Sequence, residues 1–301
     1  MEENDFNELI KNNTPKYQII AVEKKNGGIR IISIPDDITL SIQKNILSKL
    51  HKLNLDFSDC STAFQKGKSI RDNAKAHIGN AYMIRYDLRD FFDTIYIERV
   101  KTELSKRQVA PEFIKLISKW CFHHGHLPQG AATSPFLSNL VCANLDKRFF
   151  NLAEKIGANY TRYADDLIIS GDKNILLYQS VFKRIIRTEH FFINHRKTRI
   201  SVLDSEETRQ DYPDAKFFVP YHIATGIAVD GDKISIQPNY LNQLWKELKK
   251  ALKENITPPI LGKISFVYFI DPQEGAKFYN YLIEKGFGTN NYKRIISYYF
   301  A

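Results

Sequence analysis

Two places in this chain set aspartate at the tip of an apolar run, and they constrain its fold more than any other feature. One is Asp87, which closes Ala81-Tyr82-Met83-Ile84-Arg85-Tyr86; the other is Tyr163-Ala164-Asp165-Asp166, followed by Leu167-Ile168-Ile169. The first reads as a buried strand, the second as a hairpin with strands near 159–164 and 167–171. A carboxylate beside buried strands is costly to charge unless something positive compensates it. A divalent metal is the economical solution, since Mg²⁺ prefers oxygen ligands, takes one or two carboxylates and completes its octahedron with water and phosphate. Two such ions about 3.5–4 Å apart activate a hydroxyl and stabilise a leaving phosphate. In isolation Ala-Asp-Asp is an ordinary turn, where aspartate is common. The tyrosine in front and the apolar strands on both sides point instead to chemistry.

Elsewhere the chain alternates strand and helix signals. Residues 17–34 read as two β-rich runs around Asn26-Gly27-Gly28, a strong hairpin signal because these residues tolerate positive φ. Pro35 ends the second run, and Ile38, Ile42, Ile46, Leu50 and Leu53 then recur at helical spacing. Residues 96–120 read as helical, and Ser134-Pro135 opens a helix through Leu145, proline being tolerated in a first turn. Such alternation suggests an α/β or α+β body. After about residue 235, Leu241, Leu244, Leu248 and Leu252 form one stripe, with Lys246, Lys249, Lys250 and Lys253 on the other faces. Pro258-Pro259 breaks that run, and at least one more helix follows at 274–285, so the tail reads as a separate helical domain.

Charge supports a polyanionic partner. In 301 residues, 43 Lys+Arg stand against 34 Asp+Glu, a net charge of +9, and neutralising phosphates releases counterions. The 16 Tyr and 20 Phe supply rings that stack on unpaired bases, although most belong to a core. Cys60, Cys121 and Cys142 are odd in number and widely spaced, so they imply no disulfide framework and fit a reducing cytoplasm. The polar start Met-Glu-Glu-Asn-Asp is no secretion signal, and no apolar run has the length of a membrane span. The expectation is a cytoplasmic protein with no membrane partner.

The acids carry a resemblance to reverse transcriptases, whose metal-binding hairpin is Tyr-x-Asp-Asp and whose other acid sits in a strand followed by an aromatic turn, here Asp87-Leu88-Arg89-Asp90-Phe91-Phe92. The resemblance implies an α+β right-hand polymerase: fingers over about 1–80, palm elements over 81–235, and a helical, RNA-binding thumb over 236–301. It implies an RNA-directed DNA polymerase using two Mg²⁺ ions, with Mn²⁺ as a substitute, and dNTPs. Asp87 and Asp165 would hold the metals, with Asp166 assisting and the Leu88 carbonyl contributing. Phe92, with Phe91 as the competing position, would lie beneath the sugar and exclude a 2′-hydroxyl. Pro128-Gln129-Gly130-Ala131-Ala132-Thr133-Ser134-Pro135 resembles the family's Pro-Gln-Gly-x-x-x-Ser-Pro element, which places Gln129 and Gly130 against template and nucleotide. Arg30 matches the finger arginine on the triphosphate, with Lys24 or Lys25 beside it; for the lysines a solvated hairpin face remains the other reading. Asn194-His195-Arg196-Lys197-Thr198 resembles the element whose lysine protonates departing pyrophosphate, making Lys197 the candidate general acid.

Asn73-Ala74-Lys75-Ala76-His77 resembles the Asn-Ala-x-x-His element of retron reverse transcriptases. Ala224-Thr225-Gly226 stands where those enzymes carry Val-Thr-Gly, with alanine in place of valine. That subfamily implies a cognate structured non-coding RNA contacted by Asn73, His77, Thr225, Gly226 and the lysines at 246, 249, 250 and 253. It implies priming from a guanosine 2′-hydroxyl, a branched RNA–DNA product, and a role in phage defence with an effector protein. The alternatives are a stand-alone group II-like reverse transcriptase and a non-catalytic RNA-binding scaffold; an RNA-copying RNA polymerase would need a small residue at Phe92. Cys121, His123, His124 and His126 cluster as if for zinc, but lack a second ligand pair at the usual spacing.

Overall fold

The computed structural model describes residues 3–23, 27–53, 55, 57–211, 217–254 and 257–286. The expected β-runs pair antiparallel as β1 (Tyr17–Glu23) and β2 (Ile29–Pro35), in a register running from Tyr17↔Pro35 to Glu23↔Ile29, after a short first helix, α1 (Glu3–Asn12). The α2 helix (Asp37–Lys52) follows at once, because the Asp36 carboxylate accepts the Thr39 N–H at 2.8 Å and caps its first turn. Ile42, Ile46 and Leu50 are its buried stripe; Ile38 and Leu53, at the two ends of the predicted stripe, are exposed.

Next come α3 (Ile70–Lys75) and β3 (Tyr82–Asp87). The stretch expected to be helical over 96–120 holds two helices, α4 (Ile97–Lys106) and α5 (Pro111–Trp120). Pro111 cannot continue a helix and starts a new one, while Gln108 turns the chain at a φ of 57°. The next helix, α6 (Ser134–Lys155), runs well past Leu145, because its buried side chains continue to Phe149 and Ala153. β4 (Asn159–Tyr163) and β5 (Asp166–Gly171) form the predicted hairpin, then α7 (Gln179–Thr188) and β6 (Arg199–Leu203) follow. The rest is α8 (Glu206–Asp211), β7 (Phe218–Val219), β8 (His222–Ala224), β9 (Ile227–Val229), β10 (Ile234–Ile236), α9 (Pro238–Glu254), α10 (Pro258–Ile270) and α11 (Pro272–Glu284). Pro258 opens α10 rather than ending the order there. The class is α+β.

Two compact units emerge. The first comprises residues 1–69 and 84–200; in it β4, β5 and β3 lie side by side in that order, with α6 against β4. The second comprises residues 70–83 and 201–301. In it β10, β9 and β8 form an antiparallel sheet that receives α3, and β6 pairs in parallel with β7 through Val202↔Phe218. This cut differs from the expected one near residue 235. Residues 70–83 bind to the later chain, as in the Leu203 N–H to Ala81 carbonyl bond at 2.9 Å and the His222 ring contact with the Asn80 carbonyl at 3.1 Å. In the C-terminal helices, Leu244 and Leu248 are buried and Trp245 stacks on Phe278 with centroids 4.0 Å apart. Among the described residues no helix is long and apolar enough to cross a membrane.

Candidate active site

Strand pairing brings the acids together. Asp87 ends β3, and Asp165 stands in the two-residue turn closed by Tyr163↔Asp166. The Leu88 N–H donates to the Asp165 carbonyl at 2.9 Å, so residues nearly eighty positions apart share one edge. Ala164 takes a φ of 54°, a conformation that strains any residue with a Cβ. Arg162 holds it there: its Nη1 donates to the Ala164 carbonyl at 3.2 Å. The same guanidinium, wholly buried, grips Asp146 of α6 with two bonds (Nε–Oδ1 2.8 Å, Nη2–Oδ2 2.7 Å) and donates to Ser61 and Asn139. Tyr160 donates to the same Asp146 carboxylate. A buried bidentate pair with its remaining donors satisfied is rigid, and here it ends at the turn that presents Asp165.

Electrostatics at the acids is adverse. Burial, followed by the neighbouring Asp87 charge, raises the Asp165 carboxyl. Burial pushes Asp166 up to about 6, against the pull of Arg85. Further relief comes from Lys197, whose ammonium donates to Asp87 Oδ2 at 2.7 Å and is itself raised by that bond. The Asn194 N–H donates to the Asp87 carbonyl at 2.8 Å, and that link carries the Lys197 loop to the strand end.

Asp87, Leu88, Phe92, Gln129, Asp165 and Lys197 line one cavity of about 460 Å³, together with Arg30. Arg30 projects from β2, and its charge reaches Asp165. The Gln129–Gly130 element is docked on β2, where the Ser33 N–H donates to the Gln129 carbonyl at 2.8 Å. A Cβ on Gly130 would sit 2.8 Å from the Ser33 carbonyl, at a φ of 123°; the close approach explains the glycine. Phe91 is buried and stacks on Phe191, whereas Phe92 is only half-buried on the cavity wall. Phe64, at a φ of 62° and exposed, lines the same cavity and was not singled out by sequence.

The remaining expected site residues fall elsewhere. Lys24 and Lys25 lie outside the described residues, as does the side chain of Lys253. Lys246, Lys249 and Lys250 are exposed on α9. Asn73 and His77, expected to contact RNA, are both 0% exposed in the protein alone. Thr225 and Gly226 form the tight turn between β8 and β9, at φ values of 49° and 92°, and Thr225 Oγ1 donates to Asn73 Oδ1 at 3.5 Å. Two-residue hairpins of this hand need positive φ at both positions, so a β-branched residue there is strained and the Asn73 side chain steadies it. Burial drives the His77 imidazole down to about 3, and it holds His222 down to about 4.

The residues that sequence missed, Arg162 and Asp146, do carry a signal: an arginine inside an apolar strand and an aspartate inside an apolar helix are costly unless paired. The zinc-like cluster does not assemble. Among the described residues no three His, Cys, Asp or Glu side chains converge as a metal-holding group, and burial pushes the Cys121 thiol up to about 12.

Comparison with known proteins follows the same lines. Residues 22–222 match the family described as reverse transcriptase (RNA-dependent DNA polymerase). The chain is 30% identical over 291 residues to the Retron Ec86 reverse transcriptase of Escherichia coli, covering 91% of this chain and 83% of that one. It is 32% identical over 302 residues to the Retron Ec73 reverse transcriptase of Escherichia coli, covering 91% and 87%. Among solved structures, apo telomerase from Candida tropicalis aligns with a TM-score of 0.55 at 10% identity, over 98% of this chain and 66% of that one. That likeness speaks for the fold, a polymerase body with C-terminal helices.

Proposed function

The chain belongs to the retron reverse transcriptases and is an RNA-dependent DNA polymerase, and from that premise we propose that Asp87, Asp165 and Asp166 are its catalytic acids. The observation that carries this is the meeting of β3 with the β4–β5 turn, which sets Asp87 and Asp165 on one edge. The donor set fits a hard divalent cation, because it consists of carboxylates, two of which, Asp165 and Asp166, are held toward protonation by burial and neighbouring negative charge. Asp87, Asp165 and Asp166, with the Leu88 carbonyl, would hold Mg²⁺, or Mn²⁺ in its place. The bound ions would supply a more acidic attacking hydroxyl and neutralise charge on the phosphates.

The chain's own residues do the rest. Arg30 binds the triphosphate of the incoming dNTP from β2. Gln129 and Gly130 orient sugar and base against the cavity wall, and Phe92 excludes a 2′-hydroxyl. Phe91 is committed to packing on Phe191, which supports its neighbour as the gate. Lys197 keeps its proton on Nζ beside the acids and is the group placed to give it to the departing pyrophosphate.

The template is a cognate structured RNA, copied into single-stranded DNA from a guanosine 2′-hydroxyl of that RNA to give a branched product. The cell uses it against phage, together with an effector protein. Support comes from the match over nine-tenths of the chain to retron enzymes. The exposed Gly226 turn and Lys246, Lys249 and Lys250 are the RNA contacts, with Asn73 holding that turn from within. Primer extension on an RNA template with Mg²⁺ and dNTPs tests the chemistry, and the co-expressed native RNA tests the priming. Asp165→Asn should abolish synthesis, and the native RNA should yield an RNase-resistant branch. DNA built only from 3′-primers would leave the enzyme a reverse transcriptase without retron priming.

A further inference from the structure

A second cavity, of about 590 Å³, shares no lining residue with the catalytic one. Its walls are α7 and the segment 191–195, with Lys183, Arg184, Arg187, Phe192 and His195 among its lining residues. The α7 sequence, Gln-Ser-Val-Phe-Lys-Arg-Ile-Ile-Arg-Thr, holds three cations and no acid. Lys183 and Arg187 are four apart, and Arg184 and Arg187 are three apart, so the charges sit side by side on one face and destabilise the helix unless an anion meets them. No anion of the protein does so: all three are exposed, and none is ion-paired among the described residues. The adjacent Glu189 is taken by Arg148 at 2.6 Å.

The aromatic partner is as specific. Phe191 is buried against Phe91, but Phe192 turns outward, 55% exposed, with the Arg89 guanidinium 5.5 Å from its ring centre. Unpaired cations beside an outward ring match a flexible polyanion with stackable faces. The groove also joins the catalytic strand, since the Arg89 N–H donates to the Phe192 carbonyl at 2.8 Å and Asn194 is bound to Asp87.

We propose that this groove binds a single-stranded nucleic-acid segment entering or leaving the catalytic cavity. Lys183, Arg184 and Arg187 hold its phosphates, and one base stacks on Phe192. Template RNA and product DNA share this chemistry, and only the experiment separates them.

The test uses the full chain with 5′-labelled single-stranded RNA and DNA 12-mers in fluorescence anisotropy across a salt series. Neutralising three phosphate contacts should weaken binding and flatten the slope of log affinity against log salt by about 2. That is the result expected for Lys183→Gln, Arg184→Gln and Arg187→Gln together. The control, Lys106→Gln, Lys115→Gln and Lys155→Gln, should change both far less. Phe192→Leu should lower affinity without changing the slope. An RNA-only loss assigns the groove to the template, a DNA-only loss to the product, and an equal loss to both in turn. Single-nucleotide incorporation at saturating primer–template should persist in each variant. Photocrosslinking of 5-iodouridine oligonucleotides to the wild type, mapped by peptide, guards against a misfolded variant and should mark the 191–195 segment. Unchanged affinity and slope in a folded triple variant, or crosslinks elsewhere only, would overturn the proposal and leave the groove to an acidic protein surface.

Discussion

The Lys197 ammonium stands 2.7 Å from Asp87 Oδ2, one of three clustered carboxyls, and is half-exposed. It is thus the cation bonded to Asp87, alongside Arg85, which acts on Asp166, and Arg30, which acts on Asp165. Lys197→Met should lower thermal stability in EDTA by about 1 kcal/mol, the scale of a partly exposed ion pair. Millimolar Mg²⁺ should restore more stability to this variant than to the wild type, as melting curves with and without the ion would reveal. Equal shifts would mean that Lys197 does not compensate the acids.

Protonation of Asp166 should compete with the cation. Its carboxyl is raised to about 6 in the fold, above its unfolded value of 3.8. The stabilisation from this shift is therefore greatest at low pH and is lost as pH rises through about 6. Because the protonated form does not ligate, the melting shift produced by Mg²⁺ should be large at pH 7.5 and shrink toward pH 5.5. Asp166→Asn should flatten that pH dependence.

The histidines of the second unit carry the opposite sign. His77 and His222 are lowered to about 3 and about 4 from 6.5. Their neutral forms fit the fold, so their contribution is complete above pH 6.5 and declines as pH falls toward 4. Each is worth up to about 1.4 kcal/mol per pH unit in that window. His77→Gln should remove its share of the slope between pH 6.5 and 4, whatever it does to stability at pH 7, and pH-resolved denaturant melts measure that slope.

Arg162 should be indispensable without touching substrate. Arg162→Met leaves the Asp146 carboxylate buried with only the Tyr160 hydroxyl, a loss of about 3–5 kcal/mol. Arg162→Lys keeps the charge but not the fork, so it should fold better than Arg162→Met. It should still lose kcat with little change in KM for dNTP, because the Ala164 turn is no longer held.

At the cavity wall, Phe92→Ala should raise ribonucleotide use relative to deoxynucleotide by about tenfold or more, equivalent to about 1.4 kcal/mol. Competitive incorporation assays read this ratio, and an unchanged ratio would remove Phe92 as the gate. Gly130→Ala forces a Cβ against the Ser33 carbonyl at an unfavourable φ and should cost about 1–3 kcal/mol.

By itself the sequence determined the local order. Hairpin chemistry at Asn26-Gly27, the Pro-Gln-Gly string, and the acids at the ends of apolar runs are readable because turn conformation and strand burial are written in neighbouring residues. It marked 96–120 as helical without showing the break before Pro111, and it gave no bounds for α10. Only tertiary structure decided which distant groups meet. The pairing of β3 with β5 set Asp87 beside Asp165. Arg162 found Asp146 across sixteen positions, and Asn73 found Thr225 across 152. The Asn-Ala-x-x-His string marks Asn73 and His77 as RNA contacts by resemblance and says nothing of their burial. Their burial follows from partners that sequence spacing does not show, since a buried polar group is stable only where the fold delivers its hydrogen bond.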